Sequence, residues 1–130
     1  MKVYKVVFWD GKQTTSYCVK GPAGVVYRPD EWTEAPVWLA RKGYHLTAFA
    51  RLRDAVSFAA GALNHQIWEA EAEDFVPLPP SLDNFELCRR KIIPVGPWPK
   101  GTVMARRIKL VRQINEEEVR KWKEDGNEGV

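Results

Sequence analysis

The stretch from Gly43 to Asp74 constrains this chain more than any other, because a helical period gives way almost at once to a strand period. Over Thr47 to Gly61 the apolar residues Phe49, Leu52, Val56 and Ala59 fall at steps of three, four and three. That spacing predicts one helix with a single buried stripe. Thr47 can cap its start, and Gly61 can end it in a left-handed conformation. From Ile67 to Glu73 the period becomes two: Trp68, Ala70 and Ala72 point one way, and Glu69, Glu71 and Glu73 the other. A covering helix beside a half-buried strand is an α+β arrangement.

The rest of the chain adds strands. Val3 to Trp9 is rich in Val and aromatics, Asp10-Gly11 is a turn, and Thr14 to Val19 returns as a hairpin partner. After the break at Gly21-Pro22 and Gly24, Val25 to Tyr27 is a short strand ending before Pro29. From Glu31 to Leu39, Trp32, Ala35 and Trp38 are spaced three apart around Pro36. The segment is either a helical turn beginning near Pro36 or a packed loop. Its two tryptophans make it a lid over the core or a contact patch. Pro77, Pro79 and Pro80 exclude regular structure over Phe75 to Leu82. Phe85 to Ile93 fits a strand stopped by Pro94, and residues 94–101 form a rigid loop centred on Trp98.

Thr102 to Ile114 is the longest strand expected, with Met104, Ile108, Leu110 and Ile114 on one face. Arg106 and Arg112 fall with that apolar set, so each must reach a carboxylate or lie near a strand end. Asn115 followed by Glu118 is a capping box, with Ile114 and Val119 in the staple positions. Glu116, Glu117 and Glu118 suit the positive end of the ensuing helix, whose apolar face is Val119 and Trp122. The expectation is one α+β domain over residues 1–125, with residues 126–130 a frayed tail. Its core is a twisted, mostly antiparallel sheet of five to seven strands, with a central packed helix and a C-terminal helix.

A chain of 130 residues is long enough for one core. Its net charge of +3 says little, but its distribution says more. Gln66 to Cys88 holds six acidic residues and no Lys or Arg, whereas Arg89 to Arg112 holds eight basic residues and no Asp or Glu. The two segments either pair across the sheet or present opposite surface fields. Cys18 and Cys88 are too far apart in sequence for a metal motif and read as free thiols. Lys2, Lys5 and Asp10 interrupt any secretory signal, and no window is apolar enough to span a membrane. A cytoplasmic protein without a cofactor is expected.

Chemistry-bearing motifs are few. No phosphate loop, Ser-His-Asp signature or His-Glu-x-x-His is present. Two histidines with no cysteine at ligand spacing argue against zinc. Tyr44 and His45, ahead of the expected helix, are candidate binding or acid–base groups, and Glu69 and Glu71 lie on a face suited to a cation or a basic partner. The arginines and lysines from Arg89 onward are a poor nucleic-acid surface, because consecutive residues on a strand alternate between faces.

Tyr4-Lys5, Val25 to Trp32, Gly43-Tyr44-His45, Leu52 with Asp54-Ala55, and Ile67 to Ala72 resemble a group of small bacteriophage proteins with no assigned activity. The Thr102 to Ile114 strand is similar to theirs as well, so the likeness covers about three quarters of the chain. A weaker likeness is to ADP-ribosyltransferases, with Tyr44 and the Glu69 to Glu73 strand in the matching places. Against it, the first strand lacks the His or Arg that holds the ribose, and Leu46-Thr47-Ala48 stands where Ser-Thr-Ser is expected.

The phage resemblance implies a non-catalytic protein-binding module acting on host machinery such as RNA polymerase. Its contacts would come from Trp98, from Val119 and Trp122, and from Arg89, Arg90, Arg107 and Lys109. The alternatives are a nucleotide-acting enzyme using Tyr44, His45, Glu69 and Glu71, and a structural part of a virion.

Overall fold

The computed structural model describes residues 1–9, 11–16, 25–41, 43–60, 64–79 and 98–121. The strand expected over Phe85 to Ile93, both cysteines, Arg89, Arg90, Gly61, Trp122 and the C-terminal tail lie outside the described residues.

Within them the elements follow as β1 (Lys2–Trp9), β2 (Thr14–Ser16), β3 (Val26–Tyr27), β4 (Trp32–Glu34), α1 (Val37–Arg41), β5 (Leu46–Phe49), α2 (Leu52–Ala59), β6 (His65–Val76) and β7 (Thr102–Ile114). Residues 116–121 are helical. Every strand pairing is antiparallel. The N-terminal hairpin forms as expected, with Trp9 opposite Thr14.

The sheet closes into a barrel, which corrects the expectation of an open twisted sheet. β6 pairs with β1 along one edge and with β7 along the other. β5 then joins the two remaining edges, through Tyr4↔Phe49 to β1 and through Leu46↔Ala105 to Phe49↔Thr102 on β7. Closure removes strand edges that an open sheet would expose.

Two apolar clusters result. Val3, Val7, Val25, Tyr27, Leu46, Ala48, Ala70, Ala72, Ala105, Ile108 and Leu110 fill the barrel. Val6, Ile67 and Ile114, on the opposite face of their strands, are covered by α2 through Ala55, Val56 and Ala59. The alternation of β1 and β6 between these clusters is the strand period read from the sequence.

The helix is shorter than its periodicity suggests. Leu46 to Phe49 is strand, hydrogen-bonded to β7, and α2 starts only at Leu52. Its N-cap is Arg51, which makes no side-chain cap bond, so Thr47 is not the cap. The apolar stripe survives because Phe49 turns from the strand into the α2 cluster, its ring 5.2 Å from that of Phe58. Leu52 packs there too.

β7 also departs from strict alternation. A register shift between Glu69 and Ala70 leaves one extra β7 residue, so Ile114 belongs with α2 rather than with Ile108 and Leu110. Ala105 and Ile108, three apart, both face the barrel interior. These irregularities place Arg106 and Arg112 in solvent rather than among the apolar set. Arg112 reaches Glu118 at 2.7 Å and Glu69 at 3.6 Å.

The capping box is present in both directions. Asn115 Oδ1 accepts from the Glu118 backbone N–H at 2.8 Å, and Glu118 Oε1 accepts from the Asn115 N–H at 3.3 Å. Ile114 and Val119 join the α2 cluster together, as a hydrophobic staple should.

Candidate functional site: a break in the barrel wall at Arg106

β4 and β5 run along the same edge of β7 and in the same direction. β4 ends with Glu34 opposite Arg107, and β5 begins with Leu46 opposite Ala105. The chain between them, residues 35–45, leaves the ladder and returns to it. Pro36 opens this excursion, and its carbonyl accepts from the N–H groups of Leu39 and Ala40, both at 3.0 Å. Gly43, at φ 87°, turns the chain back, and the Tyr44 N–H closes onto the Leu39 carbonyl at 3.2 Å. Glycine fits here because the left-handed region strains residues with a Cβ.

On the other side of β7, the ladder with β6 runs from Glu73↔Arg107 to Phe75↔Ala105. Asp74, between them, has φ 59°. Arg106 therefore has no bridged partner in either ladder, although Asp74 stands level with it on β6 because the register does not shift between Glu73 and Phe75. Bulges and kinks of this kind re-aim side chains, and they are enriched at barrel rims and functional sites.

Around the break, Tyr44 and Trp98 have ring centroids 6.5 Å apart. The Trp98 indole N–H donates to the Pro79 carbonyl at 2.7 Å, which fixes the ring in a half-buried position. The His45 backbone N–H points at Met104 Sδ, 3.4 Å away. Burial, and then the Arg106 charge, hold the His45 imidazole below its ordinary pKa. Arg106 is exposed and makes no ion pair among the described residues.

The other β7 cations are engaged. Arg107 pairs with Glu73, whose hydrogen bond and charge raise its pKa. Arg107 and Lys109 also bracket the exposed Trp32 ring, at 5.0 and 5.1 Å from its centroid. The β6 glutamates expected as a binding face are paired as well. Glu69 meets Lys2 at 3.4 Å, and Glu71 meets the Met1 ammonium at 3.3 Å. Among the described residues, the acidic and basic segments pair across the sheet at Glu73–Arg107 and Glu69–Arg112.

The structure therefore brings Tyr44, His45 and Trp98 together but leaves Glu69 apart. Glu69 stands opposite Arg112, six residues along β7 from Arg106, which is about 20 Å of strand. Val119 is half-buried in the α2 cluster. Sequence reasoning missed two features: the isolation of Arg106 and the bracketing of Trp32 by Arg107 and Lys109. Pro36 and Gly43 were the available signs of an excursion.

No family model, curated protein or solved structure matches the chain. Among the described residues, no helix is long and apolar enough to cross a membrane.

Proposed function

We propose that this protein is a non-catalytic protein-binding module whose contact surface is the outer side of β4, α1 and β7. The observation that carries this reading is the exposed Trp32 held between two cations, with Val37 and Trp38 exposed on the next element. Val37 is 67% accessible and Trp38 36%, an unusual investment of apolar surface in so short a segment. Aromatic side chains flanked by arginine are the residues in which binding energy concentrates. On this face Arg107 is paired with Glu73, and Trp32, Val37 and Trp38 supply apolar area that a protein partner can bury.

The partner class implied by the phage resemblance is the host transcription machinery, with RNA polymerase the first candidate. The test is a pull-down followed by reconstitution with the purified partner, starting with RNA polymerase. Retention should fall at least about tenfold when Trp32 becomes Ala in a folded protein, the loss expected for a central aromatic anchor. Equal retention by the Trp32→Ala and Trp38→Ala variants would remove this surface from consideration.

A further inference from the structure

We infer that β4 and β5 are the two halves of one barrel strand, and that residues 36–45 are an insert which barrel closure does not need but partner recognition does. The second half rests on the protein-binding reading and names the removable element within that surface.

The register carries the first half. Glu34 stands opposite Arg107 and Leu46 opposite Ala105, on the same edge of β7 and in the same direction. Between those pairs β7 advances two residues and the other chain advances twelve, so ten residues are surplus to the ladder. Two residues of strand span about 7 Å, so the excursion leaves and re-enters the wall at nearly one place. A short surface segment with close ends is an Ω-loop, an element often given over to function.

Packing sets the boundaries of the insert. Ala35 packs against the cluster that fills the barrel and so stays with β4. Leu46 is a member of that cluster and opens β5. Joining the two gives one run: Trp32, Thr33, Glu34, Ala35, Leu46, Thr47, Ala48, Phe49. In that run Thr33 and Leu46 are three apart, as their partners Ile108 and Ala105 are on β7. The joined strand then matches the strand it pairs with, residue for residue.

The insert also satisfies backbone groups within itself. The Pro36 carbonyl accepts from the Leu39 and Ala40 N–H groups, the Ala40 carbonyl from Gly43, and the Leu39 carbonyl from Tyr44. Leu39 is buried, yet it belongs to neither apolar cluster. Tolerance to insertion follows from the burial and hydrogen bonding of the backbone affected, and longer loops add little closure entropy. The pairings that close the barrel, β6 with β1 and β7 and β5 with both, involve no residue of the insert.

What the insert adds is apolar surface. Val37 and Trp38 are exposed on it, directly beyond the strand that carries Trp32. Loops held by a rigid scaffold are where binding residues concentrate. Fold and recognition are thus carried by separable parts of the chain.

The experiment deletes residues 36–45 from the full chain, joining Ala35 to Leu46. A second variant puts Gly-Gly in place of the same ten residues, which relieves strain at the splice. Cross-strand NOEs and amide hydrogen exchange are read for both. The Glu34–Arg107 and Leu46–Ala105 contacts should persist, and the direct splice should add an Ala35–Arg106 contact. Amide protection in β1, β6 and β7 should stay within about tenfold of the parent's. Loss of the β5–β7 ladder in both variants would overturn the insert assignment. This arm needs no partner, so it decides the insert even where the protein-binding reading fails.

The folded variant is then carried through the reconstitution set out above, with the same purified partner. Retention should fall at least about tenfold relative to the parent. A partner lost by Trp32→Ala but kept by the deletion leaves the module standing and removes recognition from the insert. No retention by the parent itself removes the protein-binding reading and the second half of this inference with it.

Discussion

The Lys5 ammonium donates a 2.6 Å hydrogen bond to the Thr47 carbonyl, joining β1 to β5 where their ladder has only the Tyr4↔Phe49 pair. Lys5 is 7% accessible and stands between Val3 and Val7 on the face that lines the barrel. Its Nζ also lies 5.1 Å from the centre of the Tyr27 ring. A charged side chain thus takes the place of a strand-to-strand bond at the seam that closes the barrel. Replacing Lys5 by Met keeps the apolar stem and removes the donor. The expected loss is about 1–3 kcal/mol, the cost of leaving a buried carbonyl unpaired. Urea unfolding measures it, and a midpoint equal to the parent's would show that the seam does not depend on this bond.

Gly101 is the tightest backbone position among the described glycines. It has φ 82°, and a Cβ built there would lie 2.6 Å from Asp54 Cγ. Gly101→Ala should destabilise by about 1–2 kcal/mol from the left-handed conformation alone, with the clash in addition. Adding Asp54→Ala should relieve the carboxylate part of the clash, leaving the 2.9 Å approach of the residue 54 Cβ and the conformational cost. Thermal melts of the two single variants and the double variant would separate the parts. An additive double variant would show that the two residues do not press on one another.

The capping box gives a third expectation. Asn115→Ala removes the acceptor for the Glu118 N–H and should cost about 1 kcal/mol. Glu118 is held below its usual carboxylate range by the Arg112 hydrogen bond, then by the Asn115 backbone N–H. The stability from its ionised form is present above its unfolded pKa of 4.5 and is lost as pH falls through the lower folded value. Glu118→Gln should therefore flatten the acid limb of the stability curve. A parent-like acid limb in that variant would contradict the pairing.

His45 behaves in the opposite chemical sense with the same direction on the pH axis. Its folded pKa lies below 6.5, so the unfolded chain binds more protons as pH falls past that value. Stability linked to His45 is complete above 6.5 and declines as pH drops toward the folded pKa. The parent should lose melting temperature in that window more steeply than His45→Gln. Arg106→Gln should move the His45 midpoint upward by removing the second cause while leaving burial in place. An NMR titration showing no movement would mean that burial acts alone.

Much of this architecture was readable from local pattern. The alternation of Trp68, Ala70 and Ala72 against Glu69, Glu71 and Glu73, the extent of Thr102 to Ile114, and the Asn115–Glu118 box are each set by neighbours within a few residues. Periodicity and capping chemistry act at that range, so a linear sequence displays them. Leu46 to Phe49 misled because its residues fit a helical stripe, while ladder bonds to Thr102 through Ala105 made it a strand. Those bonds depend on residues more than fifty positions away.

The same distance hid the barrel. Closure needs β6 between β1 and β7 and β5 across the seam, a relation among four strands that no single window contains. The candidate site follows from closure too. Arg106 is one basic residue in a basic stretch until the ladders on both sides skip it. Trp32 is one tryptophan among six until β4 sets it between Arg107 and Lys109. The sequence by itself determined the alternation of β1 and β6, the extent of β7 and the capping box after it, because those depend on local geometry. Tertiary structure alone decided which charges are paired and which is left open, because pairing is a property of side chains brought together from distant parts of the chain.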